Sequence, residues 1–374
     1  MSIVLKVVDS QTQLKEFIFL PEKIYKGDSR WVPPMYVDEW NFHNPKQNKA
    51  LEYSDVIRII AYDHNQPAGR IMGIINHKYN RDHHEQTARF FALDCVNNQS
   101  VAHELIEYIE HWAQARGMNK LIGPYGFSDK DPQGLQIEGL NLLPVIATPT
   151  NPVYLQILVE KEGYQKELDC VSYQMPIPET LPPVYLKVFG RVSANKNVRL
   201  IEFTKKSQLK PFIVPLFRLV NETYAPLFGF VPMTEEEMKK FAAQYLPVLA
   251  PELVKVVVNT AGEMVAFVVS MPDMSAGIQR SKGRLFPFGF IHILSSMKKT
   301  SQLNLLLGAI KPSYRGKGLN VMMGKVLIES ARKRNLQVMD SHLILEKNLI
   351  MRAECEKLGG VIRKRYRVYQ KLLA

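Results

Sequence analysis

The sequence predicts a mixed α/β (α+β) protein made of two units in tandem, each a mixed central sheet flanked by helices. Three observations carry this reading. The 374 residues are enough for two separate cores. Strand-like and helix-like stretches alternate in both halves, as a helix-covered sheet requires. The two halves also end alike: Glu160-Lys161-Glu162-Gly163 matches Glu356-Lys357-Leu358-Gly359, and ten residues after each glycine stands a Tyr-Gln pair, Tyr173-Gln174 and Tyr369-Gln370. Pro176, Pro178, Pro182 and Pro183 read as a stiff connection, so the boundary is expected near residue 180, with units of 1–180 and 181–374.

In the first half, residues 3–8 read as a strand and 11–25 as a helix. Residues 30–34 read as a rigid turn and 38–53 as a polar, loop-rich stretch. Residues 56–62 and 68–77 alternate in polarity around a turn at 63–66 and predict a hairpin. A strand at 88–93 follows, then a helix over 100–116 whose apolar face is Leu105, Ile109, Trp112 and Ala113, closed by Gly117. After a short strand at 120–123, residues 123–150 form an unusually long connection, and such loops tend to line sites. Ser128, Asp129, Asp131, Asn151 and Tyr154 either meet in a pocket there or act as turn and cap residues. A short helix and a strand running to Met175 close the half.

The second half repeats the plan. A strand at 198–203 is followed by helices at 208–224 and 234–249, the latter opened by Thr234 with Glu236 and Glu237 in its first turn. Residues 253–258 and 264–269 predict a hairpin, and 272–301 an insert. Then come a buried apolar strand over 303–310, stopped by Pro312, and an amphipathic helix from Leu319. Between them lies Arg315-Gly316-Lys317-Gly318. Glycines at a helix start allow close backbone approach, and free first-turn N–H groups with two cations make an anion site suited to a phosphate or pyrophosphate. The alternative is a basic turn with a solvated helix cap. Neither a Walker motif nor a dinucleotide fingerprint fits the loop.

The order strand, Pro-x-x-Arg-Gly-x-Gly, long helix, strand, Asn, short helix, Lys-x-Gly resembles the cofactor-binding core of the GNAT acyltransferase superfamily. The residues that carry it are Pro312, Arg315, Gly316, Lys317 and Gly318, then Asn348, then Cys355-Glu356-Lys357-Leu358-Gly359. The resemblance covers about the last seventy-five residues well. It implies two GNAT-like domains, with acetyl-CoA or another acyl-CoA as cofactor. It also implies pyrophosphate contacts from the loop (Arg315, Gly316, Lys317, Gly318, Leu319, Asn320), strand contacts from Ala309 and Ile310, and a pantetheine or thiolate contact from Asn348. Asn348 has the simpler role of a helix cap open to it. Asn320 stands where the family usually has a second Gly or Ala, and Cys355 where a tyrosine often serves as general acid. Aligning the halves puts Asn98 and Ser100 opposite Gly316 and Gly318, so the first unit lacks the glycine loop.

Acyl transfer to an amine needs a base, a polarised carbonyl and a proton for the leaving thiolate. His342, sharing a strand face with Asp340 by period two, is the candidate base. Cys355 inherits the acid position, and a thiol of pKa about 8.5 is able to donate a proton, though core packing is the other reading. Tyr224, Asp273 and Arg284 are further residues that the insertions can bring to the same cleft.

Composition bounds the rest. A hydrophobic content of 46% with 22% charged residues is that of a globular protein. Three scattered cysteines imply neither a disulfide framework nor a zinc site, and no metal ligands are expected. No signal peptide or ~18-residue apolar span is apparent, so a cytoplasmic location is expected. The net charge of +12 is uneven: residues 1–190 hold 18 Lys and Arg against 23 Asp and Glu, residues 191–374 hold 30 against 13. No aromatic-interleaved basic patch accompanies it, which disfavours nucleic acid. The densest run, Arg363 to Arg367, alternates with apolar residues and reads as a charged edge strand. The resulting expectation is a CoA-dependent N-acyltransferase, with acetyl the acyl group and a small-molecule or peptide amine the acceptor. The alternative is a GNAT-like scaffold that binds CoA or a partner without catalysis.

Overall fold

The computed structural model describes residues 3–373. The first half runs β1 (Val4–Val7), α1 (Gln11–Ile24), α2 (Tyr36–Phe42), β2 (Ser54–Asp63), β3 (Gln66–Asn76) and α3 (His77–His83). It continues through β4 (Thr87–Cys95), α4 (Gln99–Gln114), β5 (Lys120–Gly123), β6 (Leu135–Glu138), α5 (Val153–Lys161) and β7 (Gln165–Pro176). The second half opens with α6 (Pro183–Ser193), β8 (Val198–Glu202), α7 (Ile213–Tyr224), α8 (Glu235–Tyr245), β9 (Val254–Asn259) and β10 (Met264–Pro272). Next come α9 (Ser275–Ser281), α10 (Gly289–Lys299), β11 (Gln302–Ile310), α11 (Leu319–Lys333) and β12 (Val338–Ser341). The chain ends in β13 (Ile344–Leu345), α12 (Leu349–Lys357) and β14 (Val361–Leu372).

Local signals set many of these boundaries. Ser10 with Gln13 and Thr234 with Glu237 form reciprocal capping boxes that start α1 and α8. The expected hairpins are β2–β3 and β9–β10. The stretch expected to be loop-rich contains α2 instead. Asp38 and Glu39 lie in its first turn, where the helix dipole favours carboxylates, and the Tyr36 ring packs on Phe19.

The strands form one sheet in the order β1-β2-β3-β4-β5-β14-β7-β12-β11-β10-β9-β8, with β6 beside β14 and β13 beside β7. The last strands of the two halves are exchanged across the middle: β14 pairs β5 of the first half, and β7 pairs β12 of the second. The expected edge strand at Arg363–Arg367 is therefore central. Its cations are tolerated because neighbouring strands and loops supply carboxylates. Lys364 meets Asp340 at 3.5 Å, Arg365 bonds Glu138 at 2.9 Å and Glu346 at 2.8 Å, and Arg367 takes both Asp169 oxygens at 2.8 and 3.0 Å.

Each half holds one parallel strand pair that stays together only briefly. β4 and β5 pair over Thr87–Arg89, and β11 and β12 over Gln302–Leu305. Beyond those residues the strands part and the sheet opens. In the second half, Val256, Val258, Phe267 and Val269 pack beneath α7 and α8 on one face. Val257, Val265 and Ala266 pack against α11 and α6 on the other. The opening between β11 and β12 joins these two faces.

Candidate functional site

The glycine loop lies at the end of β11. A 3₁₀ turn at Pro312–Tyr314 leads into Arg315, and Gly316 and Gly318 have φ of 71° and 83°. Only glycine adopts this left-handed backbone without strain. Gly318 is the N-cap of α11 and no side chain caps that first turn, so its N–H groups stay free. A Cβ on Gly316 would meet open space, while one on Gly318 would come within 2.7 Å of Val192 and 2.8 Å of Val188 on α6. Arg315 and Lys317 are exposed and neither has an ion pair among the described residues. Uncapped amides, an open backbone and two exposed cations without a carboxylate partner among the described residues fit a pyrophosphate. Leu319 is buried beneath α11 and offers only its backbone, and Asn320 turns away to bond Glu354 at 2.7 Å.

In the first half the corresponding helix start is closed. The Asn98 side chain caps α4 by accepting from the Ser100 N–H at 3.0 Å. That acceptor takes the place an anion would use.

The open edge of β11 is defined by its hydrogen bonds. The Tyr224 hydroxyl, from the end of α7, donates to the Gly308 carbonyl at 3.0 Å and accepts from the Gly308 N–H at 3.4 Å. Arg315 donates to the Ile310 carbonyl at 3.3 Å. Gly308 and Ile310 thus face the opening, and by strand alternation Ala309 turns its backbone toward Phe267 on β10. The register slips between Val269 and Ser270, whose partners are Leu307 and Leu305, so Leu306 is a bulge residue without a partner on β10.

Behind this edge lies an apolar cavity of about 270 Å³. Its walls include Leu216 and Phe217 of α7, Phe241 and Ala242 of α8, Leu306 and Leu307 of β11, and His342. β12 ends at Ser341, so His342 does not continue the alternation that would have put it beside Asp340. Its N–H bonds the Leu305 carbonyl at 3.0 Å, and its ring lines the cavity. Burial pushes the imidazole down to about 4, with the Ile146 backbone carbonyl only partly offsetting it, so it is neutral at pH 7. Burial pushes Tyr224 up to about 12, the Gly308 contact pulling the other way, so its phenol keeps its proton.

Other candidates are placed elsewhere. Cys355 is buried among Val171, Tyr173 and Met339, outside the cavity walls, with its thiol pushed up to about 11 by burial. Asn348 caps α12 by accepting from the Met351 N–H at 3.2 Å. Asp340 is buried and bonds the Ser172 hydroxyl at 2.6 Å. Asp273 bonds Asn304 at 2.9 Å, and Arg284 pairs with Glu22 at 2.6 Å. Among the described residues no cluster of three His, Cys, Asp or Glu could hold a metal.

A second cavity of about 460 Å³ lies at the opening of the first half, against Phe91–Asp94 of β4. It shares Lys130, Ile146, Ala147, Phe241 and Tyr245 with the apolar one. Asp131 and Glu39 line it. Burial pushes Asp131 up to about 6 against the Ser128 and Phe127 amides, and burial also raises Glu39, whose carboxylate makes no hydrogen bond among the described residues. Residues 123–150 and α8 form the shared wall. Sequence reasoning had the long loop but not Glu39, which it placed in a polar stretch with no distinguishing signal.

Two parting parallel strand pairs, exchanged final strands and a glycine loop before the helix of the second half define the architecture. A tandem GNAT protein of the clavulanic acid biosynthesis pathway superposes with a TM-score of 0.57 at 11% identity, covering 100% of this chain and 99% of that one. The fold is a tandem GNAT fold. A GCN5-related N-acetyltransferase from Sphaerobacter thermophilus superposes with a TM-score of 0.52 at 11% identity, over 99% of this chain and 96% of that one. In sequence, the chain is 26% identical to Protein YghO of Escherichia coli (strain K12) over 371 residues, 97% of this chain and 93% of the relative. It is also 26% identical to a bacterial ceramide synthase of Caulobacter vibrioides over 374 residues, 98% and 96% of the two chains. No family model matches the chain.

Proposed function

We propose that this chain is an N-acyltransferase that moves a long acyl group from a CoA thioester to an amine at the opening between β11 and β12. The observation that carries the reading is the apolar cavity of about 270 Å³ against the Leu306 bulge. An acetyl group has no use for walls made of Leu216, Phe217, Phe241 and Leu307, whereas an alkyl chain is stabilised there by leaving water. The name of the Caulobacter relative supports the same reading, since a ceramide is the amide of a long-chain amino alcohol. A long-chain amine is therefore the acceptor class, entering through the larger cavity, where Glu39 and Asp131 offer carboxylates to its nitrogen. A CoA-type donor places the reaction in the cytoplasm.

Arg315, Lys317 and the amides from Gly316 to Asn320 would hold the pyrophosphate, and Gly308 and Ile310 would line the pantetheine arm. The thioester would supply an activated carbonyl and a thiolate leaving group. The Leu306 bulge, in the cavity wall, is the backbone position proposed to polarise that carbonyl. Neutral His342 takes the proton shed by the amine nitrogen as the C–N bond forms. Tyr224, protonated at pH 7, gives a proton to the sulfur as the C–S bond breaks.

The test is turnover of acyl-CoAs from two to sixteen carbons with a long-chain amino alcohol, reading free thiol and the amide product. Rate should rise with chain length, and Ala242→Phe, which fills the cavity from α8, should move the preference toward short chains. Preference for acetyl-CoA would overturn the cavity assignment. The burial of Cys355 away from the cavity favours one other reading, a scaffold that binds acyl-CoA without turnover. Binding with no amide formed would select it.

A further inference from the structure

We propose that the outer face of α10 and the turn before it dock on an anionic lipid surface. Among the described residues no helix is long and apolar enough to cross a membrane, so the attachment is peripheral. Phe286 and Phe288 stand 80% and 66% exposed on either side of Pro287, at the tip of the insert. α10 then presents Phe290, Ile291 and Leu294 outward, at i, i+1 and i+4, each at least 43% exposed. Its inner face is fully committed. Ile293 is buried, and a Cβ on Gly277 of α9 would come within 2.6 Å of the Ile293 Cα, so the two helices are locked together at backbone distance. The outward apolar row is thus held away from the core and has no apolar partner among the described residues.

Charge selects the occupant. Arg280 and Lys282 lie exposed before the phenylalanines, Lys298 and Lys299 in the last turn of α10, and none of the four has an ion pair among the described residues. An apolar row between two cationic ends is the pattern of a helix lying in a lipid interface, with its aromatic side chains in the acyl boundary and its lysines at the headgroups. A second copy of this chain fits worse. A two-fold axis across α10 sets Lys298 and Lys299 against either themselves or Arg280 and Lys282, so like charges meet in both arrangements. The proposal stands on this face and does not rest on the acyl-transfer reading. The location does suit a lipidic amine, because Ile278 of α9 packs in one apolar cluster with Ile293 and also lines the larger cavity.

The experiment is vesicle co-sedimentation of the full chain with phosphatidylcholine vesicles containing 25% or no phosphatidylglycerol, at low and high salt. The expected result is binding to the anionic vesicles, weakened by salt, with at least a tenfold loss in Phe286→Ser/Phe288→Ser and a smaller loss in Lys298→Glu/Lys299→Glu. Phe288→Trp gives a second readout that leaves the apolar face intact. Its fluorescence should shift to the blue when anionic vesicles are added and stay unchanged with neutral ones. No sedimentation and no spectral shift would overturn the proposal, as would sedimentation that all the variants retain. A concentration-dependent dimer that the serine pair dissociates, without vesicle binding, would assign the face to self-association instead.

Discussion

At the residue scale, the chemistry turns on two groups whose proton states are set by burial. His342 is pushed down to about 4, so its neutral form prevails from about pH 5 upward. It contributes no titration between pH 5 and 8. An acid limb of the rate in that range should then belong to Asp131, pushed up to about 6 by burial, or to the acceptor amine, and only the amine's share should move when the acceptor is changed. Tyr224→Phe removes the hydroxyl from the Gly308 edge, and His342→Gln removes the proton acceptor. Each should lower kcat by ~10²-fold or more while leaving acyl-CoA affinity within a few-fold. Equal losses in affinity and kcat would assign both side chains to binding rather than proton transfer. The sequence reading named the glycine loop from local pattern. It named His342 from a strand alternation that stops at Ser341, so the place of that ring in the cavity wall was not legible from the pattern. It reached Tyr224 only as one of three residues on insertions, since what singles it out is a bond to Gly308, 84 residues away. Cys355 shows the opposite limit. Its position in the motif is legible, but its side chain turns into the core behind Tyr173 and Met339, a direction that spacing does not carry.

At the element scale, β14 shows what alternation can and cannot say. The run Arg363 to Arg367 has a strand period, and its charges argue for an edge when the neighbours are unknown. The neighbours reverse that argument, because Asp169 on β7 faces the run from inside the sheet. Burial raises the Asp169 carboxyl, but bonds from Arg367 and Lys166 outweigh it and hold the group below its ordinary value. Asp169→Asn leaves Arg367 without its carboxylate partner, while Lys166 keeps Glu346. The expected cost is about 1.5–3 kcal/mol, the range for a hydrogen bond to a charged group, because the Arg367 guanidinium is one-quarter exposed and partly recovers water. Arg363, exposed on the same strand, should tolerate Gln within about 0.5 kcal/mol. Urea unfolding of the two variants checks both. Equal and small losses would mean that backbone pairing alone holds β14 in place. The helices were easier to read, since the capping boxes at Ser10 and Thr234 are complete within four residues of sequence.

At the scale of the whole molecule, the repeated endings at Gly163 and Gly359 signal two similar units, and the tandem fold agrees with that signal. Which sheet each ending joins is a long-range choice that the repeat leaves open. The chain makes it by exchange: β14 lies between β5 and β7, and β7 reaches on to β12. Residues 1–180 alone would lack β14, leaving β5 with an open edge toward the centre, and the Tyr369 ring would be lost from the core beneath α4. Residues 181–374 alone would lack β7, uncovering β12 and β14 together. Unpaired central strands with apolar faces aggregate rather than fold. Each piece produced alone should therefore be insoluble or lack a cooperative transition, while the two co-expressed should assemble and bind acyl-CoA. The intact chain should melt in one transition, because neither sheet half closes without the other. A monomeric 1–180 piece with a sharp melt of its own would show that the exchange is dispensable. The two cavities, which share Ile146 and Tyr245, would then owe their joining to the 123–150 loop and α8 rather than to the exchanged strands.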